Sequence, residues 1–243
     1  MNNGTSCVLT RIEHDVSKAA ADTIIARVRA WPALVLGVAT GATMAPIYRH
    51  LVAAHLAGLS FAALRCFSLD EYIGLPASHP SSYRAEMRAQ FYDPVGIPAA
   101  QCFAPDGMAE NPDAEAARYD AAIQATRIGL QLLGIGVNGH IGFNEPPADF
   151  ACGTHVVTLA PATLAANRRF FPDPAKQPQR AITMGVRTIL AAGEILLVAT
   201  GAAKAPAIAA AFRGPVIPDC PASALHRHPA VRVILDADAA AGL

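Results

Sequence analysis

Apolar and polar positions along this chain fall into blocks whose period changes repeatedly. Over residues 16–31 the apolar side chains recur at 16, 20, 24, 25 and 28, the stripe of a helix packed on one face. Residues 33–39 (ALVLGVA) are continuously apolar, which predicts a strand buried on both faces. That run stops at the small-residue turn Thr40-Gly41-Ala42-Thr43, and a second helix is expected over 44–55. A strand follows at 64–69, ending directly at Asp70-Glu71. Another helix over 112–125 leads to a strand at 128–135, which ends in Gly136-Val137-Asn138-Gly139-His140. The strand at 195–199 precedes Thr200-Gly201 and an alanine-rich helix carrying Lys204, and a late strand occupies 231–235. Two proline-bearing stretches, 74–98 and 143–178, show no period and are expected to be long irregular loops, the second including a lid around 160–180.

Strands separated by helices predict an α/β fold. The expected form is a three-layer, open, mostly parallel sheet with helices on both faces, Rossmann-like. No repeat, Gly/Ser linker or low-complexity tail divides the chain, so residues 1–243 read as a single domain. In such sheets ligands sit beyond the carboxyl ends of the strands. Four strands here end in chemically unusual groups: the Thr40–Thr43 turn, Asp70-Glu71, the Asn138/His140/Glu145 cluster, and the Gly201/Lys204 helix start. The topology therefore gathers them at one edge of the sheet.

Composition narrows the function classes. Of 243 residues, 53% are hydrophobic and 16% charged, which excludes a disordered chain. Lys+Arg and Asp+Glu both number 19, so no basic excess points to nucleic acid or an acidic membrane. The N-terminus has no apolar signal core and no stretch reads as a membrane span, so the expected location is the cytoplasm. Five widely spaced cysteines (Cys7, Cys66, Cys102, Cys152, Cys220) form no CxxC pair and read as buried free thiols. His226-Arg227-His228 has no carboxylate or cysteine at ligand spacing, so no metal is expected.

The candidate chemistry is proton transfer near a phosphate. Gly134-Ile135-Gly136-Val137-Asn138-Gly139 matches a dinucleotide fingerprint, but Gly142 and Pro146-Pro147 argue against the helix that motif must open. The glycines instead make a tight path that presents Asn138, His140 and Glu145. An imidazole titrates near neutrality, and a carboxylate beside it can fix its tautomer. Asp70 and Glu71 are adjacent and point to opposite faces of a strand, so one enters the cleft, and periodicity does not say which. The Thr40–Thr43 turn ahead of a helix is a reasonable anion cradle, with Lys204 and the Arg168-Arg169 pair as candidate cations.

Two long segments carry a family resemblance. Leu69-Asp70-Glu71-Tyr72-Ile73-Gly74-Leu75-Pro76, followed by His79-Pro80-Ser81-Ser82-Tyr83, resembles one signature of the glucosamine-6-phosphate deaminases (isomerases). The segment Gly134 to Pro146 resembles the second. Shorter blocks at Asn167–Phe171, Ala181–Val186 and Gly201–Ala205 follow in the same order, and the likeness spans residues 10–236. It implies conversion of glucosamine 6-phosphate and water to fructose 6-phosphate and ammonia, without metal or redox cofactor. It assigns Asp70 as the base moving a proton between carbons 2 and 1, His140 as the ring opener, Glu145 as its orienting partner and Asn138 as an assistant. It also implies phosphate contacts from Gly41, Ala42, Thr43, Arg169 and Lys204, and a lid near 168–178.

Two departures accompany it. Ala42 stands where a glycine is usual, leaving less room for close backbone approach. Hexameric, allosterically regulated members carry basic residues where this chain has His155 and Val157, and they extend further past the last strand. Regulation by an N-acetylated sugar phosphate is therefore not expected, and a monomer or small homo-oligomer is. Three alternatives remain: a galactosamine-6-phosphate deaminase, a 6-phosphogluconolactonase, and a non-catalytic sugar-phosphate sensor domain.

Overall fold

The computed structural model describes residues 8–171 and 173–243. Cys7 and Pro172 lie outside them. Seven strands form the central sheet: β1 (Val8–Ile12), β2 (Val35–Val38), β3 (Arg65–Ser68), β5 (Cys102–Phe103), β6 (Leu130–Leu133), β9 (Glu194–Ala199) and β10 (Val231–Leu235). Their spatial order is β1-β10-β9-β6-β2-β3-β5, and every pairing is parallel. The helices are α1 (Val16–Ala30), α2 (Met44–Leu56), α3 (Tyr83–Met87), α4 (Pro112–Thr126), α5 (Pro161–Asn167), α6 (Val186–Leu190) and α7 (Ala205–Arg213). This is the three-layer Rossmann-like architecture that the alternating pattern predicts.

Local rules explain the element boundaries. Asp15 caps α1, accepting from Lys18 N at 2.9 Å. The buried face of that helix is Val16, Ala20, Ala21, Ile24 and Val28, close to the sequence stripe, with Ile25 only half-buried. Asn111 caps α4, and Pro112 fills its first turn, where no N–H is needed. The central strands bury Leu36, Cys66, Leu130, Leu132, Ile195, Leu196, Leu197 and Val233 almost completely.

The strand order contains one reversal. The chain runs from β2 outward to β3 and β5, then returns to the other side of β2 as β6. The loops after β2 and β6 therefore diverge and leave a crevice between them, the expected ligand position in a sheet of this kind. These are the 40–43 and 134–140 loops.

A second sheet corrects the sequence reading. β4 (Asp70–Tyr72), β7 (His155–Thr158) and β8 (Arg180–Thr183) form an antiparallel ribbon in the order β4-β8-β7. Asp70 and Glu71, expected to lie just past the end of a strand, instead open a short strand of their own that follows β3 and pairs with β8. The stretches expected to be irregular are partly ordered: 74–98 contains α3, extended by a π-helical turn over Arg88–Tyr92, and 143–178 contains β7 and α5. Tyr72, Leu75, Phe143, Leu159, Phe171 and Ala181 form a small apolar cluster of their own beneath this region. Among the four described cysteines, all free, Cys66 and Cys220 are buried while Cys102 and Cys152 are half-buried. No helix among the described residues is long and apolar enough to cross a membrane.

Candidate active site

A cavity of about 420 Å³ lies at the crevice between the β2 and β6 loops. All nine residues expected from the sequence line it: Gly41, Ala42, Thr43, Asp70, Asn138, His140, Glu145, Arg169 and Lys204. Thr40, from the turn expected to be the anion cradle, also lines it; so do Tyr83, Glu86, Thr163, Asn167 and Phe170, whose part in the site the sequence reading missed. Glu86 was hidden because α3 is too short to show a period. Thr163 lies inside the segment expected to be a lid, with nothing in its own neighbourhood to single it out.

The pleat of β4 separates the two acidic neighbours. Asp70 faces the cavity, while Glu71 turns to the opposite side and caps α3. The Glu71 carboxylate accepts backbone N–H groups from Tyr72 at 2.9 Å, Tyr83 at 3.0 Å and Arg84 at 2.8 Å. It is 2% exposed, and burial raises its pKa against the lowering effect of those three donors. Asp70 has no such compensation. Burial first, then the negative charges of Glu71 and Glu86, push its carboxyl up to about 8. Burial likewise raises Glu86, opposed by the Gly41 N–H and the Gln90 side chain.

His140 and Glu145 face each other across the tight glycine path. Glu145 Oε1 is 3.2 Å from His140 Nδ1, within ion-pair distance. Gly136 makes this placement possible: a Cβ there would come within 2.3 Å of the His140 ring. Asn138 Nδ2 donates to Glu145 Oε2 at 2.7 Å, and Thr163 Oγ1 donates to Oε1 at 2.7 Å. Burial opposes ionisation of Glu145, but contacts from His140, Thr163 and Asn138 overcome it and hold the carboxyl at about 2. An ionised carboxylate only accepts, so the Nδ1 facing it is the protonated nitrogen and Nε2 keeps the lone pair.

The opposite end of the cavity suits an anion. Gly41, with φ of 113°, occupies the left-handed region that glycine tolerates, and α2 begins directly after Thr43. Lys204 sits in the 3₁₀ turn that opens α7 and donates from Nζ to the Ile135 carbonyl at 2.7 Å, across the crevice. Burial lowers its pKa. Arg169 is exposed, with its guanidinium 4.8 Å from the Phe170 ring centre. The site therefore offers amides and cations at one end and two proton-transfer groups at the other.

His226 and His228 stand elsewhere. His228 is buried, with Nε2 2.8 Å from the Ala192 carbonyl and Nδ1 3.1 Å from the Ala230 backbone, a packing role. Among the described residues, no group of three or more His, Cys, Asp or Glu could hold a metal ion.

Residues 9–234 match the family model described as glucosamine-6-phosphate isomerases/6-phosphogluconolactonase. The chain belongs to this family. A glucosamine-6-phosphate deaminase from Geobacillus sp. (strain WCH70) is 50% identical over 227 residues, covering 93% of this chain and 90% of the relative. One from Rhodopirellula baltica is 48% identical over 222 residues, covering 90% and 88%. The solved structure of a monomeric glucosamine-6-phosphate deaminase superposes with a TM-score of 0.93 at 40% identity, over 97% of this chain and 99% of that one. The lactonase branch of the family shares the fold at lower identity: the 6-phosphogluconolactonase from Trypanosoma brucei gives a TM-score of 0.78 at 22%.

Proposed function

We infer that this family member is a glucosamine-6-phosphate deaminase, converting glucosamine 6-phosphate and water to fructose 6-phosphate and ammonia. The observation that carries this reading is the meeting, in one cavity, of a buried carboxyl poised near neutrality and a carboxylate-oriented imidazole, opposite an anion cradle. Relatives of that activity that match nearly the whole chain support it.

The Gly41–Thr43 amides, Lys204 and Arg169 hold the phosphate. His140 Nε2 takes the proton of the C1 hydroxyl and returns a proton to the ring oxygen as the C1–O5 bond breaks, giving the open-chain aldehyde. Glu145, helped by Asn138, keeps the ring in the required tautomer and supports the transient imidazolium. Ionised Asp70 removes the C2 proton, and the electron pair forms a C1–C2 double bond while the C1 oxygen gains a proton. Asp70 then delivers its proton to C1, and the nitrogen lone pair forms the C2 imine as an N–H proton departs. Water adds at C2, ammonia leaves, and the ketose remains. A base titrating near the working pH is efficient both in taking and in returning the proton, which a pKa near 8 supplies.

Residues 160–180 act as a lid over the bound sugar phosphate, since Thr163, Asn167, Arg169 and Phe170 line the cavity from that segment. The enzyme works as a monomer, as the solved relative does, and the four cysteines among the described residues are free, which suits the reducing cytoplasm. The test is ammonia release from glucosamine 6-phosphate and galactosamine 6-phosphate, beside hydrolysis of 6-phosphogluconolactone. The expected result is ammonia from the gluco epimer. Lactone hydrolysis without ammonia, or no turnover of any of the three, would overturn the reading.

A further inference from the structure

We propose that Thr163 is a positioning residue of this reaction, the contact through which helix α5 sets the Glu145 carboxylate against His140. The assignment rests on the deaminase reading above and deepens it. Thr163 is buried, and its hydroxyl reaches the same carboxylate oxygen, Oε1, that faces His140 Nδ1. Asn138 holds the other oxygen. A hydroxyl has one proton to give and an ionised carboxylate has only lone pairs, so the bond runs from Thr163 to Glu145. With both oxygens engaged, the carboxylate cannot rotate about its bond to Cγ, and Oε1 stays directed at the imidazole. Without Thr163, Asn138 alone leaves that rotation open.

The contact also ties two ends of the chemistry together. Thr163 and Arg169 are six residues apart on one segment that lines the cavity. The segment that supplies a phosphate cation thereby also fixes the partner of the ring-opening histidine. A merely structural role for the hydroxyl is a poor fit, because α5 and its neighbours have other moorings. Asn167 Nδ2 donates to the Tyr72 hydroxyl at 2.9 Å, Gln177 Nε2 to the Leu164 carbonyl at 2.7 Å, and Phe171 packs edge-on against Tyr72 at 5.6 Å between ring centres.

The test compares Thr163→Val, which keeps the shape and removes the hydroxyl, with Thr163→Ser, which keeps the hydroxyl. Steady-state ammonia release is measured with glucosamine 6-phosphate. Affinity is measured in parallel for the reduced, open-chain amino-alcohol phosphate, which has no ring to open. Losing a hydrogen bond to a charged group corresponds to about tenfold, so T163V is expected to lower kcat by about that factor. KM and the affinity of the open-chain analogue stay unchanged, and T163S restores most of kcat. Wild-type kcat in T163V overturns the proposal. So does a T163S variant as slow as T163V, or an equal loss in kcat and in analogue affinity. Wild-type turnover in the same assay separates a failure of the deaminase reading from a failure of this assignment.

Discussion

Asp70 and Glu71 share a chemistry and differ by one step of strand pleat, and that step turns one into the cavity and the other onto backbone donors. Glu71 spends its lone pairs on three backbone donors at the start of α3. Asp70 meets the cavity in a dry, acidic setting that holds its carboxyl at about 8. As a base it works only when ionised, so kcat/KM should rise with pH and level off above about 8, since that ratio reports the free enzyme. Asp70→Asn should lower kcat about 10²–10⁴-fold and remove this rising limb. A limb that persists in D70N would assign it to another group.

The same carboxyl has a predictable effect on stability. Its folded pKa lies above the unfolded value of 3.8. The unfolded chain therefore loses this proton near pH 4 while the folded chain keeps it to about 8. The folded state binds the extra proton throughout that window, so this group's contribution to stability falls as pH rises across it. Asn cannot ionise, so D70N should melt higher than the wild type, by a margin that widens from pH 5 to pH 8. Thermal melts at the two pH values check this, and an equal margin at both would contradict it.

At the scale of elements, Glu71 predicts the reverse of Asp70. Glu71→Gln replaces an acceptor pair with one acceptor and one donor, leaving N–H groups at the start of α3 unpaired. Each unpaired buried group costs about 1–3 kcal/mol. E71Q should melt lower than the wild type while the folded fraction keeps turning over within a few-fold. A collapse of turnover with an unchanged melting temperature would place Glu71 in the chemistry instead. Lys204 belongs to the turn that opens α7 and approaches the β2–β6 crevice from the far side. Lys204→Ala removes a charge-assisted phosphate contact and should raise KM roughly tenfold or more, with a smaller change in kcat. Substrate saturation curves decide it, and an unaltered KM would place Lys204 outside the phosphate site.

The elements that could be read in the sequence are those whose burial leaves a long apolar mark. β2 and β9 are covered on both faces and leave continuous apolar runs, and β6 is interrupted only by Gln131, so the carboxyl ends of these strands were legible. The ribbon β4-β8-β7 left no such mark. Its strands are three or four residues long and carry Asp70, Glu71, His155 and Arg180 among their apolar positions, too short and too mixed to show a period. β1 was missed because four of its five residues are exposed. Within the site, the groups set by a strand end were legible. Glu86 and Thr163 were not, since each reaches the cavity through tertiary packing of a short helix.

At the scale of the whole molecule, the ribbon also bears on regulation. Effector control requires a site that binds one state better than another, and a phosphate effector requires cations to recognise it. The two positions where basic groups were sought, His155 and Val157, fall on β7. Val157 packs on the small apolar cluster with Tyr72, Phe143 and Phe171, so the position contributes to a core rather than to an anion site. His155 has its Nδ1 2.8 Å from the Gly153 carbonyl, which occupies that nitrogen locally. With neither position offering a fixed cation, the chain should follow hyperbolic kinetics in glucosamine 6-phosphate. N-acetylglucosamine 6-phosphate should act, at most, as a weak competitor through the phosphate cradle, raising KM and leaving kcat unchanged. Initial rates across substrate concentration, with and without that compound, check both statements. A sigmoidal curve that the N-acetylated compound makes hyperbolic would show an effector site built from other residues, and the argument from β7 would fail.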